Sequence, residues 1–320
     1  MPGSLAFPAP TRSVHATCDK GARGMRHGSG RASSGLRRAL VAAGLVVTAL
    51  AAGASAAPSA PGRFPSPPAG APSTIWAVGD GAAGTSAARG VASMVAAAHP
   101  AAFLYLGDVY EFGTAGEFAH NYDPVYGAMR SITLPTPGNH DWSNHAVGYD
   151  PYWSAVTGGR PPSYYAVSVG GWRLISLNSE EDHGPGSAQS LWLARQLRAP
   201  GTCRLAFWHR PRFSAGLHGD QPDIAPFWRA LRGHAAMVLN GHDHDMQLMR
   251  PKAGITELVA GAGGRGHYPV DAADPRLAWS DDTSDGAVRI TLEPGRARYA
   301  FVATGGRVLR SGSVGCTPPA

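Results

Sequence analysis

Apolar runs of strand length recur along the chain, and each stops abruptly at a polar cluster. Residues 75–78 run into Gly79-Asp80, 101–106 into Gly107-Asp108, and 132–137 into Gly138-Asn139-His140-Asp141. Further on, 204–208 run into His209, 235–239 into Asn240-Gly241-His242-Asp243-His244, and 256–259 into the glycine-rich stretch 261–266. Between them, 85–98, 188–197 and 224–231 are helical segments, the first stopped by Pro100. Two alternating runs, 164–169 and 172–177, flank Gly170-Gly171, a hairpin signal. The runs 287–292, 298–302 and 308–313 read as further strands. Crossover units mixed with hairpins predict an α/β fold of two stacked mixed β-sheets flanked by helices. Open sheets of this kind place their ligand crevice beyond the carboxyl ends of the strands, where the polar clusters sit.

The first 56 residues read as a leader. Arg31, Arg37 and Arg38 precede residues 39–52, an apolar run of signal-peptide length, and Ala54-Ser55-Ala56 offers a small-residue cleavage pattern. This predicts a secreted or extracytoplasmic protein, cleaved near Ala56. The run is short and alanine-rich for a bilayer span, so no stable membrane anchor is expected. Arg37-Arg38 also permits a twin-arginine route, and Met25 offers a second start. Residues 57–72, rich in Pro, Ala, Gly and Ser, read as a flexible linker. That leaves 73–320 as a single catalytic domain.

Charge changes the picture less than it first suggests. The formal net charge is +6, but the leader holds seven basic residues and one acidic one, leaving 21 of each sign in 57–320. No basic stripe remains to neutralise the phosphates of a nucleic acid. Of three cysteines, Cys18 falls in the leader. Cys203 and Cys316 remain, an even pair that predicts one disulfide in an oxidising compartment; two unpaired buried thiols are the alternative.

The clusters bring together Asp80, Asp108, Asn139, His140, His209, His242 and His244. Imidazole nitrogen with carboxylate or amide oxygen suits borderline divalent or trivalent metals. Two metals about 3.5–4 Å apart need a bridging carboxylate and room for water. In an extended Gly241-His242-Asp243-His244 the alternate side chains point the same way, so both imidazoles face one cluster. Any single cluster reads equally well as a capped loop; five of them at strand ends carry the metal-site reading.

The ordered set Gly79-Asp80, Gly107-Asp108, Gly138-Asn139-His140-Asp141, His209-x-Pro211 and Gly241-His242-Asp243-His244 resembles the calcineurin-like metallophosphoesterase superfamily. It is most similar to the purple acid phosphatase branch and its bacterial relatives. The first motif, Asp80-Gly81-Ala82, lacks a DxH histidine, Trp208-His209-Arg210-Pro211 is followed by Ser214 and His218-Gly219, and the last motif reads GHDHDMQ. The resemblance implies the four-layer sandwich of that superfamily and two metal ions, iron paired with iron, zinc or manganese. It implies that Asp80, Asp108 and His244 hold the first metal. Asp108 would bridge to the second, held also by Asn139, His209 and His242. It further implies His140 as general acid or phosphate-orienting group and His218 beside the substrate phosphate. Asp141 is a candidate partner for a histidine.

One departure bears on the metal. The branch has GDxxY, whereas here Gly107-Asp108-Val109-Tyr110-Glu111 puts Tyr110 one residue early and Glu111 in the expected place. A one-residue slip in a strand flips the side chain; in an irregular loop it need not. The reading taken is that Tyr110 ligates the first metal, since the first motif supplies no histidine. Residues 261–266 read as a tight turn near the crevice, from which Arg265 could touch substrate.

These parts imply a hydrolase of a small phosphoester, most simply a phosphomonoesterase using metal-activated hydroxide. A phosphodiesterase or nucleotide pyrophosphatase would use the same metals. A secreted non-catalytic binding module is disfavoured, because His140 is not needed to hold metal.

Overall fold

The computed structural model describes residues 61–67, 70 and 72–316. The export signal, the cleavage near Ala56 and the lack of an anchor, all expected of 1–56, lie outside the described residues. Among the described residues, no helix is long and apolar enough to cross a membrane.

Parallel strands form the centre of both sheets. The first sheet joins β1 (Ser73–Val78), β2 (Ala102–Tyr105), β3 (Thr133–Pro135), β11 (Gly286–Glu293), β12 (Arg296–Ala303) and β13 (Val308–Gly315). Their spatial order is β13-β12-β11-β1-β2-β3, with β1, β2 and β3 parallel and β11 to β13 antiparallel. The second sheet joins β4 (Tyr165–Val169), β5 (Trp172–Ser176), β6 (Cys203–Phe207), β7 (Met237–Asn240), β8 (Met246–Met249), β9 (Thr256–Ala260) and β10 (Leu277–Asp281). Its order is β10-β8-β9-β7-β6-β5-β4, and β5, β6, β7 and β9 run parallel.

Side-chain alternation decides what each face meets. On β6, Leu205 and Phe207 enter a core shared with Ile75, Leu104 and Ile290 of the other sheet, whereas Ala206 faces the opposite way. On β7, Met237 and Leu239 turn inward and Val238 outward. The sheets are therefore stacked across a common core. The outer face of the second sheet is covered by the helices Ala188–Leu197 and Ala225–Leu231, which bury Leu193, Leu197, Phe227, Trp228 and Leu231. Each such side chain contributes about 1.5–3 kcal/mol by leaving water. The helix Ser86–Ala97 packs Val91, Ala92 and Val95 into the shared core and is capped by Thr85, whose hydroxyl accepts from the Ala88 amide at 3.1 Å.

The expected strands and helices all form, and several elements add to them. β8 and β10 escape the pattern; β8 is buried at all four positions and so shows no alternation. Asp123–Tyr126 and Tyr149–Thr157 contain Pro124 and Pro151, which read as breakers. Both prolines sit in the first helical turn, where a missing N–H costs nothing. Part of the expected linker is docked. The Gly62 and Arg63 amides donate to Arg160 and Thr157 carbonyls at 2.9 and 3.0 Å, and buried Phe64 lies 4.4 Å, ring to ring, from Tyr165. An apolar ring next to an aromatic pocket outweighs the flexible composition around it. The Cys203–Cys316 disulfide is present and ties the start of β6 to the end of β13.

Candidate metal centre

Three of the loops leaving parallel strands carry a non-glycine residue in the left-handed region. Asp80 follows β1 with φ of 61°, Asp108 follows β2 with 71°, and His242 follows β7 with 74°. Such a conformation in a residue with a Cβ costs of order 1–3 kcal/mol and marks sites where surroundings impose it. Gly138 shows how tight the packing is, since a Cβ there would stand 2.0 Å from Asp108 Oδ1.

The donors converge in two groups about Asp108. In the first, the Tyr110 hydroxyl donates to Asp80 Oδ1 at 2.9 Å and lies 2.8 Å from His244 Nε2, itself 3.6 Å from Asp80 Oδ1. In the second, His209 Nε2 lies 3.0 Å from Asn139 Oδ1, 3.2 Å from His242 Nδ1 and 3.4 Å from Asp108 Oδ2. Donor atoms of Asp80, Asp108 and His209 lie within 4.8 Å of one another. Asp80 and His209 are fully buried, and Asp108 nearly so. β2 ends at Tyr105, so the two-residue period of a strand no longer governs Tyr110, and the early position does not turn it away. Glu111 pairs instead with Arg265.

Electrostatics show whether a cation fits here. Among the described residues, no Lys or Arg ion-pairs with Asp80 or Asp108. Burial pushes the Asp80 carboxyl well above its ordinary range, and the Asp108 charge adds to this. Burial would raise Asp108 too, but His209 beside it holds it below the usual carboxylate range. His209, which burial alone would lower, is pushed up to about 10 by Asp108 and Asp80. A buried proton thus stands where positive charge is wanted. His242 and His244 are held neutral instead, lowered chiefly by burial to about 2 and about 4; His209 adds to the lowering of His242, whereas Asp108 opposes it at His244. Neutral imidazole is the metal-binding form; once a metal takes the place of the buried proton, His209 Nδ1, 2.8 Å from the Leu106 carbonyl, would keep the remaining hydrogen and leave Nε2 to face the cluster. The donor set fits metal.

A family model described as calcineurin-like phosphoesterase matches residues 74–246. The chain belongs to that family. It is accordingly a hydrolase of phosphoester bonds, with a candidate metal site at Asp80, Asp108 and His209. Among solved structures it is similar in fold to purple acid phosphatase PPD1 from yellow lupin, at 13% identity and a TM-score of 0.64, over 79% of this chain and 55% of that one. It is also similar to GAP50, the anchor in the inner membrane complex of Plasmodium, at 14% and 0.63, over 77% and 89%. PhoD matches at 13% and 0.58, over 79% and 71%. A comparison with curated proteins finds no match.

Around the phosphoesterase cluster stand the remaining candidates. His140 is partly exposed; its Nδ1 lies 2.6 Å from the Glu111 carbonyl and its Nε2 3.9 Å from Asp108 Oδ2. His218 stacks on His242 with ring centroids 4.1 Å apart. Asp141 departs from expectation. Its carboxylate accepts from the Asp108, Val109 and Gly138 amides at 2.9, 2.6 and 2.9 Å, so it braces the loop of Asp108 rather than a histidine. Three convergent N–H donors, one from the cap of a short helix and two from the loop after β2, satisfy the carboxylate in place of an imidazole. Arg265 covers Tyr110, its guanidinium carbon 4.9 Å from the ring centroid. Two neighbours were not singled out from sequence. Tyr268 stacks on His244 at 4.1 Å, and buried Asp243 holds His218. Asp243 stands between His242 and His244, beyond the end of β7, so strand alternation does not place it and only the fold shows its direction. Tyr268 lies in a loop without periodicity and left no signal.

Proposed function

We propose that this phosphoesterase is an exported phosphomonoesterase of the acid phosphatase type, acting on a small substrate. Asp80, Asp108, Tyr110 and His244 hold one metal, and Asp108, Asn139, His209 and His242 hold a second. When bound, such ions, iron with iron, zinc or manganese, polarise phosphoryl oxygens and lower the pKa of water.

The chain's own residues supply orientation and protons. His140 keeps Nδ1–H against the Glu111 carbonyl, so in the imidazolium the second proton, on Nε2, is the one positioned to pass to the departing alkoxide, leaving the neutral ring. His218 stands beside the second group of donors and meets the phosphate from that side. Half-buried Tyr268 and the exposed Arg265–Glu111 pair border the site.

The observation that carries this reading is the Tyr110 hydroxyl within 2.9 Å of Asp80 and 2.8 Å of His244. A phenol in that place completes the ligand set that the purple acid phosphatase resemblance implies. Turnover of p-nitrophenyl phosphate and of its bis-ester, each with and without a chelator, tests it. The expected result is chelator-sensitive preference for the monoester; a preference for the diester overturns it. Export is supported by the leader and by the disulfide. N-terminal sequencing of the mature protein should find a start near residue 57, and an intact leader on it would refute export.

A further inference from the structure

Asp243 lies between two proposed metal ligands yet turns away from them. It is fully buried. Its Oδ1 accepts from the His218 amide at 2.8 Å and lies 3.0 Å from His218 Nδ1. Its Oδ2 accepts from the Ser214 hydroxyl. Ser214 Oγ accepts in turn from the Gly216 amide at 2.9 Å and from Gln247 Nε2 at 2.8 Å, while Gln247 Oε1 accepts from the Ala215 amide at 2.8 Å. Every partner in this chain is specified, so the carboxylate has no freedom to turn.

A carboxylate offers only acceptors to an imidazole. His218 Nδ1 must therefore carry hydrogen, which leaves Nε2 as the ring nitrogen directed outward. Stacking fixes the remaining rotation, because the ring lies on His242 at 4.1 Å with an interplanar angle of 29° and meets the Tyr268 edge at 5.2 Å. The side chain remains one-third exposed, so this oriented nitrogen is open to the cleft. Held at both ends, the imidazole is a pre-set contact.

We propose that Asp243, backed by Ser214 and Gln247, is a positioning residue that presents His218 Nε2 to the phosphoester. This rests on the metal-site reading above. Removing the carboxylate partner of a metal-bound imidazole costs about 10- to 100-fold; a loss of that order is expected here for the partner of His218, and the same loss should follow removal of the imidazole.

A double-mutant cycle tests this. Asp243→Ala and His218→Ala should each lower kcat/KM about 10- to 100-fold with metal content unchanged, and the double variant should lose no more than His218→Ala alone. Asp243→Asn, which keeps an acceptor for Nδ1–H, should recover much of the loss. If Asp243→Ala fails to fold or to retain metal, Ser214→Ala serves instead. Its smaller loss should vanish in the His218→Ala background. Losses that multiply in the double variant, at full metal content, overturn the proposal. The cycle is run on whichever ester the wild type hydrolyses fastest, so a diester preference would refute the monoester reading and leave this result interpretable.

Discussion

The two sheets contribute unlike halves to one centre. Loops after β1, β2 and β3 of the six-stranded sheet bring oxygen: Asp80, Asp108, Tyr110 and Asn139. Loops after β6 and β7 of the seven-stranded sheet bring nitrogen: His209, His242 and His244. Neither half is arranged without the other. The His209 ring is oriented by the Leu106 carbonyl at 2.8 Å, and the His242 amide donates to Asp80 Oδ2 at 2.8 Å. The carboxylates come from one strained backbone set and the imidazoles from the facing one, and the stacked core holds them in register. The contrast extends within the first sheet. β11 to β13 are its longest strands, yet as antiparallel hairpins they end in turns at both edges and deliver no donor. Parallel strands with crossovers put consecutive carboxyl ends on one side, and that is where the chemistry collects.

The largest effect should come from breaking either half at the same proposed metal. Asn139→Ala removes an oxygen donor and His242→Ala a nitrogen donor, and both should deplete the second metal. Losing several kcal/mol of charge stabilisation corresponds to about three orders of magnitude in rate or more. Metal analysis beside kcat measures both. Full activity at unchanged metal content in either variant breaks the comparison.

Next in size is His140→Ala, which spares both halves. Metal content should hold while the rate falls by about two to four orders of magnitude, the usual size for general acid catalysis. The defect should shrink for leaving groups of low pKa, which need no proton. A uniform loss across leaving groups rules out the acid role.

The halves were unequally legible in the sequence. Asp80, Asp108, Asn139, His209, His242 and His244 were readable because each closes an apolar strand, and strand ends have a fixed side. The fold was readable for the same reason, through runs such as 204–208 and the Gly170-Gly171 hairpin. Tyr110 is less legible, since strand period stops at Tyr105 and nothing local says how the loop turns. The partner of Asp141 is not a histidine because two of its three amide donors, Asp108 and Val109, are brought close only by folding. The docking of Phe64 onto Tyr165 spans 101 residues of chain and has no local signature either.

Tyr110→Phe gives a smaller change in rate and a sharp optical one. If the oxygen half includes a tyrosinate, ferric protein should absorb in the visible and the variant should be bleached. Three protein donors suffice for a catalytic metal, so Asp80, Asp108 and His244 should retain the ion and hydrolysis should persist. A colourless wild type with iron bound removes Tyr110 from the oxygen half.

The smallest effect on rate should come from the covalent link between the halves. Cys203 opens β6, whose other end leads to His209, and Cys316 follows β13. The disulfide therefore joins the sheets at the strand end away from the metal cluster. Its loop spans 113 residues, and removing such a link costs about 2–5 kcal/mol, mainly by freeing the unfolded chain. A Cys203→Ser/Cys316→Ser variant should unfold at lower urea concentration. Below its transition it should retain metal content and kcat, because the packed core, the Leu106–His209 contact and the Asp80–His242 contact already set the register. A drop in kcat or metal content in the still-folded variant would show instead that the two halves meet correctly only when stapled.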